Sequence, residues 1–321
     1  MAEELFFTYG PTNVSSLLAS TWSDAHREVV DNIYKSDPIM AYYFKNNRIK
    51  YGDGASLVMP IEYAADTNSK WQGYTDIVNT VIQDPFTAAQ YKWKLLTTTC
   101  TIPEYLEIMN GTKSQVFDVV EGFKNNAMKG IKDKFSSSLF TAAPDTTVAP
   151  DSFATIIDST GTIGEIAYNA TYWASTETTS GSFAGQGIKD MTTMHNTISD
   201  SGTDAPDLIL SSQTINESYE NTARTYGRYD LLGDKAMVDL GIKALSFKGS
   251  TMLYNANVTA ETIYFVNTKY IKFGVLAGRE FVMGEFVKPA NQPVKVSIIS
   301  LYGNLACGSR RRQGKLVSVT A

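Results

Sequence analysis

Apolar positions between Thr112 and Phe140 fall at Val116, Val120, Phe123, Ala127, Ile131, Phe135 and Leu139, in steps of three and four. That spacing predicts one amphipathic α-helix, with Lys113, Asn125, Asn126, Lys132 and Lys134 mostly on its other side. Thr112 and Gln115 have capping-box spacing, and Gly111 breaks the segment before them. At about 1.5 Å per residue the helix would run roughly 40 Å. Gly122 and Gly130 weaken it, each by roughly 1 kcal/mol relative to alanine, but no proline interrupts it. Such a stripe alone describes any long core helix. Its neighbours in sequence make it informative.

Ahead of the helix, Met1 to Thr21 mixes polar, aromatic and proline residues without a period and reads as an arm. Ser23 can cap a short helix to about Lys35, and Asp37-Pro38 starts another. Two extended stretches follow. Ser56 to Ala64 carries Pro60, which demotes it to an edge or partly exposed strand. Phe86 to Ile102 alternates polar and apolar residues from Gln90 to Leu95. The polar excursion between them, Ala65 to Pro85, far exceeds the ~2–5 residues of a hairpin loop. Inside a compact domain it would be an awkward flap; in an assembly a long two-stranded arm can lie on a neighbouring subunit. After the long helix, Thr141 to Ser152 has the composition of a domain boundary. The next region predicts a Ser/Thr/Gly loop (Ser175 to Gly185), a helix at Ile188 to Ile198 and a strand at Asp207 to Ser211. A helix from Gln213 to Tyr226 follows, with Thr214 and Glu217 at capping-box spacing. From Ala244 the pattern is nearly all β: Leu245–Phe247, Thr251–Tyr254, Thr262–Val266, Tyr270–Phe273, Phe281–Phe286, Lys295–Leu301, Leu305–Cys307 and Lys315–Val319.

Composition narrows the picture. With 43% hydrophobic and 19% charged residues the chain can build a real core. A net charge of −5 gives no global basic footprint for nucleic acid. Cys100 and Cys307 lack metal-type spacing and read as buried free thiols. His26 and His195 are the only histidines, too few for a histidine-rich metal site. Met1-Ala-Glu-Glu is acidic where a signal peptide is positive, and no apolar run approaches the ~18 residues of a membrane span, so a cytoplasmic protein is expected.

Catalytic signatures are weak or missing, and neither a cofactor nor an enzymatic activity is expected. Gly185-Gln-Gly187 lacks the third glycine of a dinucleotide fingerprint. Ser211-Ser212, between a strand and a helix, lacks the flanking glycines of a nucleophile elbow. Glu104 and Glu107 could form a carboxylate pair, but solvated charge is the simpler role. Ser309-Arg310-Arg311-Arg312-Gln313-Gly314-Lys315 is the one dense basic run. It can contact phosphates, form a turn whose arginines pair with carboxylates, or serve a subunit interface; without interleaved aromatics the last two are favoured. The 18 tyrosines suit extensive interfaces and a β-rich core equally.

Taken in order, several segments resemble the major capsid proteins of tailed bacteriophages, with the Hong Kong 97-like fold. They are Tyr34-Lys-Ser-Asp-Pro-Ile, then Arg48-Ile-Lys-Tyr-Gly-Asp-Gly leading into Leu57-Val-Met-Pro-Ile, and Pro206-Asp-Leu-Ile-Leu-Ser-Ser with Tyr219. Leu232-Gly-Asp through Leu245-Ser-Phe-Lys-Gly-Ser, Tyr264-Phe-Val-Asn-Thr-Lys-Tyr, and Gly303-Asn-Leu-Ala-Cys-Gly-Ser-Arg-Arg-Arg-Gln-Gly-Lys-Leu complete the series. Each is a loose consensus, and the order carries the resemblance over nearly the whole chain. It implies an α+β fold divided as follows: an N-terminal arm with short helices (1–50), an extended two-stranded loop (51–105), and a peripheral domain with the spine helix (106–154). An axial domain (155–258) and return strands largely in the peripheral domain (259–321) complete it.

The resemblance also implies a structural role: self-assembly through pentamers and hexamers into an icosahedral head shell around double-stranded DNA, held by non-specific contact. Portal and a separate scaffolding or decoration protein are the further expected partners, no membrane is involved, and the chain is expected in the virion after assembly in the host cytoplasm. Candidate inter-subunit contacts are Lys70, Trp71, Tyr74, Tyr91, Trp93, Arg310, Arg311 and Arg312. Some members carry about a hundred residues of scaffolding domain ahead of the arm, for which this chain has no room; a separate scaffolding protein, or none, is therefore expected. Others cross-link a loop lysine to a neighbour's asparagine; Lys70 lies in the corresponding loop, but nothing identifies an acceptor or catalytic acid, and that chemistry is not carried over. An encapsulin-type nanocompartment shell shares the fold and is the close alternative. A β-rich hydrolase or carbohydrate-binding protein is the distant one, and it requires a stable monomer with paired carboxylates in a concave site.

Overall fold

A strand that must pair on both edges and bury both faces cannot alternate, and the chain contains several such runs: Leu-Ile-Leu at 208–210, Ile-Tyr-Phe-Val at 263–266 and Thr-Met-Leu at 251–253. In the computed structural model these form the middle of the largest sheet. The structure describes residues 39, 42, 43, 49–110, 119–142, 144, 145, 147–225 and 245–320. The arm before Thr21, the helix of Ser23 to Lys35, the start at Asp37-Pro38, the first turns of the long helix and the Leu232 segment lie outside the described residues.

In chain order, β1 (Ile49–Gly52) leads to the hairpin strands β2 (Ser56–Glu62) and β3 (Phe86–Lys92). After them come β4 (Lys94–Pro103), α1 (Glu104–Asn110) and the long helix α2 (Val119–Ser138). A short capped helix α3 (Phe153–Ile156) and strand β5 (Thr176–Thr179) precede a π-helical turn, Phe183–Gly187, which runs into α4 (Ile188–Ile198). Strand β6 (Leu208–Ser211) feeds α5 (Gln213–Thr225). The remaining elements are β7 (Leu245–Phe247), β8 (Ser250–Tyr254), β9 (Ile263–Val266), β10 (Ile271–Leu276), β11 (Val282–Met283), β12 (Val294–Cys307) and β13 (Gly314–Val317). A 3₁₀ turn, Arg310–Arg312, joins the last two.

The chain divides into two compact units. The larger comprises Asp37–Leu96, Lys134–Glu280 and Leu301–Ala321. Its six-stranded sheet has the order β5-β13-β9-β6-β8-β7, with β5/β13 and β6/β8 parallel and the other pairs antiparallel. Met191, Met194 and Ile198 of α4 and Ile215 and Tyr219 of α5 cluster with Ile209, Phe265 and Leu316 from one face of the sheet. Separately, β1 runs parallel to β10, and β10 pairs with the second half of β12, from Ile271↔Cys307 to Val275↔Gly303. The C-terminal turns of α2 pack beside these strands, Phe135 against Phe273 with ring centres 4.6 Å apart. In the smaller unit, which takes Thr97–Asp133 and Phe281–Ser300 of the described residues, β11 pairs with the first half of β12. There Lys124 lies over the Phe286 ring, and Lys288 pairs with Glu104 at 2.6 Å.

The predicted stripe holds where it is described: Ile131, Phe135 and Leu139 are buried and Phe123 and Ala127 half-buried. The helix continues through Gly122 and Gly130. Several expectations change. The extended run at 86–102 breaks at Trp93 into β3 and β4, which shifts the phase and leaves Leu95 exposed. The Ser/Thr loop contains β5, because Thr176, Thr178 and Thr179 are β-branched and lie alongside β13. The two strands expected at 295–301 and 305–307 are one, since Gly303 and Asn304 stay in the ladder. The strand expected at 281–286 shrinks to Val282–Met283. Thr214 lies inside α5 and Glu217 accepts from Gln213 Nε2 at 2.8 Å. β9 and β13, expected among strands returning to the peripheral domain, are inner strands of the sheet that holds β6 and β8. Their residues Ile263–Val266 are apolar toward both faces and need a central position.

Two outcomes follow for stability. Gly303 has no room for a side chain: a Cβ would lie 2.6 Å from the Phe273 ring and 2.9 Å from the Gly274 carbonyl oxygen. Urea unfolding of Gly303→Ala should show a loss of about 1–3 kcal/mol. Gly181→Ala, where a Cβ meets nothing within 4 Å, should show little change. His195, buried on α4 with its ring at 6.1 Å from Phe247, is held below its ordinary value of 6.5 by burial, with Lys248 adding to the effect. Because the folded value is depressed, the unfolded chain binds the proton more readily. The contribution of neutral His195 is therefore complete above about pH 6.5 and declines as pH falls through that value. Between pH 7.5 and 5.5, His195→Leu should melt with a flatter pH dependence than the parent chain.

Candidate assembly interface

Strands β2 and β3 pair only with each other among the described residues, from Ser56↔Lys92 to Glu62↔Phe86. Pro60, opposite Ala88, suits a strand with an open edge. The root of this hairpin is fixed to the larger unit by buried side chains. Leu57 lies over Gly274, where a Cβ would meet its Cδ2 at 2.4 Å. Tyr91 is buried and donates from its hydroxyl to the Cys307 carbonyl at 2.8 Å. Burial pushes the Tyr91 hydroxyl well above its ordinary pKa and the Cys307 thiol up to about 12, so neither ionises near neutrality. Asn304 Nδ2 donates to the Lys92 carbonyl at 3.0 Å and to Asp151 Oδ2 at 3.0 Å. Half-buried Trp93 donates from Nε1 to the Gly54 carbonyl at 2.9 Å.

Beyond Tyr63 and Pro85 the excursion carries no regular strand, yet its two sides are tied by side chains. Tyr63 N donates to the Pro85 carbonyl at 2.9 Å, and Thr67 and Gln83 exchange two bonds, of 3.2 and 2.6 Å. Asn68 Nδ2 donates to the Val81 carbonyl, and Asn79 Nδ2 donates to Asn68 Oδ1. Gly73 N donates to Asp76 Oδ2 at 2.9 Å in the turn at the tip. The polar residues therefore hold the arm together, and the apolar ones point to water. Trp71 and Tyr74 are fully exposed, Ile77 is 89% and Ile82 96% exposed, and Val78, Val81 and Phe86 are each more than 60% exposed. Monomers rarely expose contiguous apolar surface beyond a few hundred Å² without an interaction purpose.

Of the candidate contact residues, Lys70, Trp71 and Tyr74 thus lie exposed on the outer arm. Tyr91 and Arg310 do not qualify as surface contacts: both are taken up inside the subunit. Arg310 is 0% exposed, and its five N–H groups each donate to a carbonyl, those of Ile156, Asp158, Thr160, Gly161 and Trp173, at 2.7–3.2 Å. The guanidinium has five donors and no acceptor, so this set satisfies it completely. Burial draws its pKa down. Arg312 pairs with Asp200, holding that carboxyl below its usual range, and Arg311 is exposed. The basic run is thus a turn in which each arginine has a different environment. Sequence reading missed Ile77, Val78, Val81 and Ile82; the signal was the pair of apolar doublets inside a stretch otherwise read as polar.

Other candidates lie apart from the arm. Ser211 Oγ is buried and has no hydrogen-bond partner among the described residues. Glu104 is tied to Lys288, which keeps its carboxyl below the usual range. Among the described residues no group of three or more His, Cys, Asp or Glu side chains could hold a metal, and no helix is long and apolar enough to cross a membrane.

No family model matches the chain, and no curated protein matches it in sequence. Solved structures do. The chain is similar to a subunit of the Cyanophage A-1(L) capsid asymmetric unit, with a TM-score of 0.74 at 14% identity over 93% of this chain and 97% of that one. It is similar to the holo-SrpI encapsulin complex from Synechococcus elongatus, with a TM-score of 0.60 at 10% identity over 97% and 96%. The capsid of the native GTA particle gives a TM-score of 0.60 at 10% identity over 97% and 100%. At these identities the likeness concerns the fold, which is the Hong Kong 97-like fold of phage capsid proteins.

Proposed function

We propose that this chain is a major capsid protein whose copies assemble, through pentamers and hexamers, into the icosahedral head shell of a tailed phage around double-stranded DNA. The carrying observation is the arm: a tethered two-stranded projection whose large apolar side chains, among the described residues, are between about three-fifths and fully exposed. Burying a side chain of this size stabilises by about 1.5–3 kcal/mol, and a second copy of the chain is the cover we propose. Ion pairs such as Arg312–Asp200 stay within the subunit, so recognition between copies rests mainly on shape and apolar area. The role is structural. Portal, a scaffolding or decoration protein, and DNA bound by non-specific contact are the partners this role requires, with assembly in the host cytoplasm.

An encapsulin-type nanocompartment is the second reading, supported by the likeness to the SrpI shell over 97% of the chain. The higher TM-score to the cyanophage capsid, 0.74 against 0.60, favours the phage reading. The two differ in content, nucleic acid or enzyme, which nuclease digestion and mass spectrometry of shells from the native source would separate.

The chain expressed alone should form closed shells or capsomer rings by negative-stain electron microscopy and light scattering. A well-behaved monomer with a protease-resistant 65–85 segment would refute the assembly reading. Ile77→Ser combined with Ile82→Ser should leave the unfolding free energy of the subunit within about 0.5 kcal/mol, because both are surface positions. The same pair should abolish shells or reduce their yield at least tenfold.

A further inference from the structure

The loop at 156–173 has little regular structure, and its carbonyls turn inward. Bridges at Ile163↔Ile166 and Asn169↔Trp173 close it locally, and Trp173 Nε1 donates to the Ile163 carbonyl at 3.1 Å. Five of its carbonyls converge on the Arg310 guanidinium, which comes from the turn between β12 and β13, 137 to 154 residues away in sequence. The outer side of this loop meets β3 and Tyr63, the residue that follows β2. Gly164 O accepts from Gln90 N at 2.9 Å. Gly164 has φ +62°, and a Cβ there would come within 2.7 Å of the Ala89 Cβ and 3.0 Å of the Tyr91 ring. Glu165 pairs with Lys92 at 3.3 Å, and the Tyr172 ring stacks on Tyr63 at 5.1 Å. No hydrogen bond joins Arg310 to the arm among the described residues; the guanidinium holds the loop, and the loop braces the arm.

We propose that Arg310 is a positioning residue for assembly: by fixing the 156–173 loop it sets the angle at which the β2–β3 arm leaves the subunit. This rests on the assembly reading above. The leverage is large. Phe86 lies about 20 Å beyond Lys92 at ~3.3 Å per residue, so a tilt of about 10° at the root moves it by roughly 3.5 Å. Apolar contacts extend only to about 4–4.5 Å between heavy atoms, so that displacement misregisters the outer arm with any partner surface. Leu57, Tyr91 and Trp93 hold the root in place, and the loop decides how the arm inclines from it.

The experiment compares the full chain with Arg310→Lys and Gly164→Ala. Lysine has three donors on one nitrogen and cannot span five carbonyls. Alanine at 164 presses on Ala89 without touching the guanidinium. The readouts are amide hydrogen exchange at residues 88–92, the melting temperature of the unassembled subunit, and shell diameter by electron microscopy. Both variants should exchange at least tenfold faster at 88–92 and give shells of altered or dispersed diameter, or none, while remaining folded. If Arg310→Lys does not fold, Arg310→Gln, which keeps two of the five donors, carries the test of the guanidinium, and Gly164→Ala reports only on the loop-to-arm contact. A variant that only melts lower, with parent-like exchange at 88–92 and shells of unchanged diameter, overturns the positioning role and leaves the assembly reading intact. Failure of the parent chain itself to assemble removes that reading instead.

Discussion

A charged guanidinium withdrawn from water is stable only if every donor finds a partner, and Arg310 meets that condition with five carbonyls and, among the described residues, no carboxylate in direct contact. The requirement works in both directions. The loop at 156–173 lacks a ladder to satisfy its inward carbonyls: Ile156 O and Asp158 O also accept from Ser175, and a buried carbonyl left unpaired is unfavourable too, though less so than an unpaired charge. One side chain resolves both. Removing it would leave the five carbonyls together, which differs from deleting a surface ion pair of the Arg312–Asp200 kind. The neighbouring residue shows the same economy: buried Gln313 accepts from Asn267 N and donates to its carbonyl, tying the turn to the end of β9.

From that anchored loop outward the character of the arm changes. At its root, packing and backbone ladders are dense, with Leu57 over Gly274 and Tyr91 bonded to Cys307. Past Glu62 and Phe86 the two sides are joined by Thr67–Gln83 and Asn68–Asn79 contacts, all exposed to competing water. Exposed hydrogen bonds of this kind add little net stability. The outer arm is therefore preorganised in direction but weakly held in detail. It can adjust its side chains to a partner, with less conformational freedom to lose than a structureless loop would have.

The pattern of polar and apolar positions located most elements because most depend on neighbours within a few residues. The stripe at Ile131, Phe135 and Leu139 has one helical solution, and Ile188–Ile198 and Leu208–Ser211 fall within a residue or so of expectation. Losses came where partners are distant. Nothing local in Ser-Arg-Arg-Arg-Gln distinguishes Arg310 from Arg311, because the five carbonyls that separate them lie far away in sequence. Thr176–Thr179 reads as loop until β13 lies beside it, and β9 and β13 could be placed in the central sheet only by their register with β6 and β5. Exposed Trp71 and Tyr74 were legible as candidates. Ile77 to Ile82 were not, since an apolar doublet in a polar stretch is ordinarily core.

Identities of 10–14% with TM-scores of 0.60–0.74 require that the fold be specified by something other than residue identity. Two kinds of constraint survive such divergence. Burial pattern is degenerate, since Leu, Ile, Val, Met and Phe exchange within a core if volume is kept. Strand register is the other, since backbone ladders such as β6 with β8 and β9 are made by main-chain groups that every residue but proline carries. A catalytic site concentrates selection on a few atoms, which is why enzymes keep motifs. A contact surface spreads it over area and angle, where single residues are replaceable. In this chain the exception is the point where angle is decided. There a charge is buried and matched by five acceptors in a fixed fork, a geometry that lysine cannot reproduce.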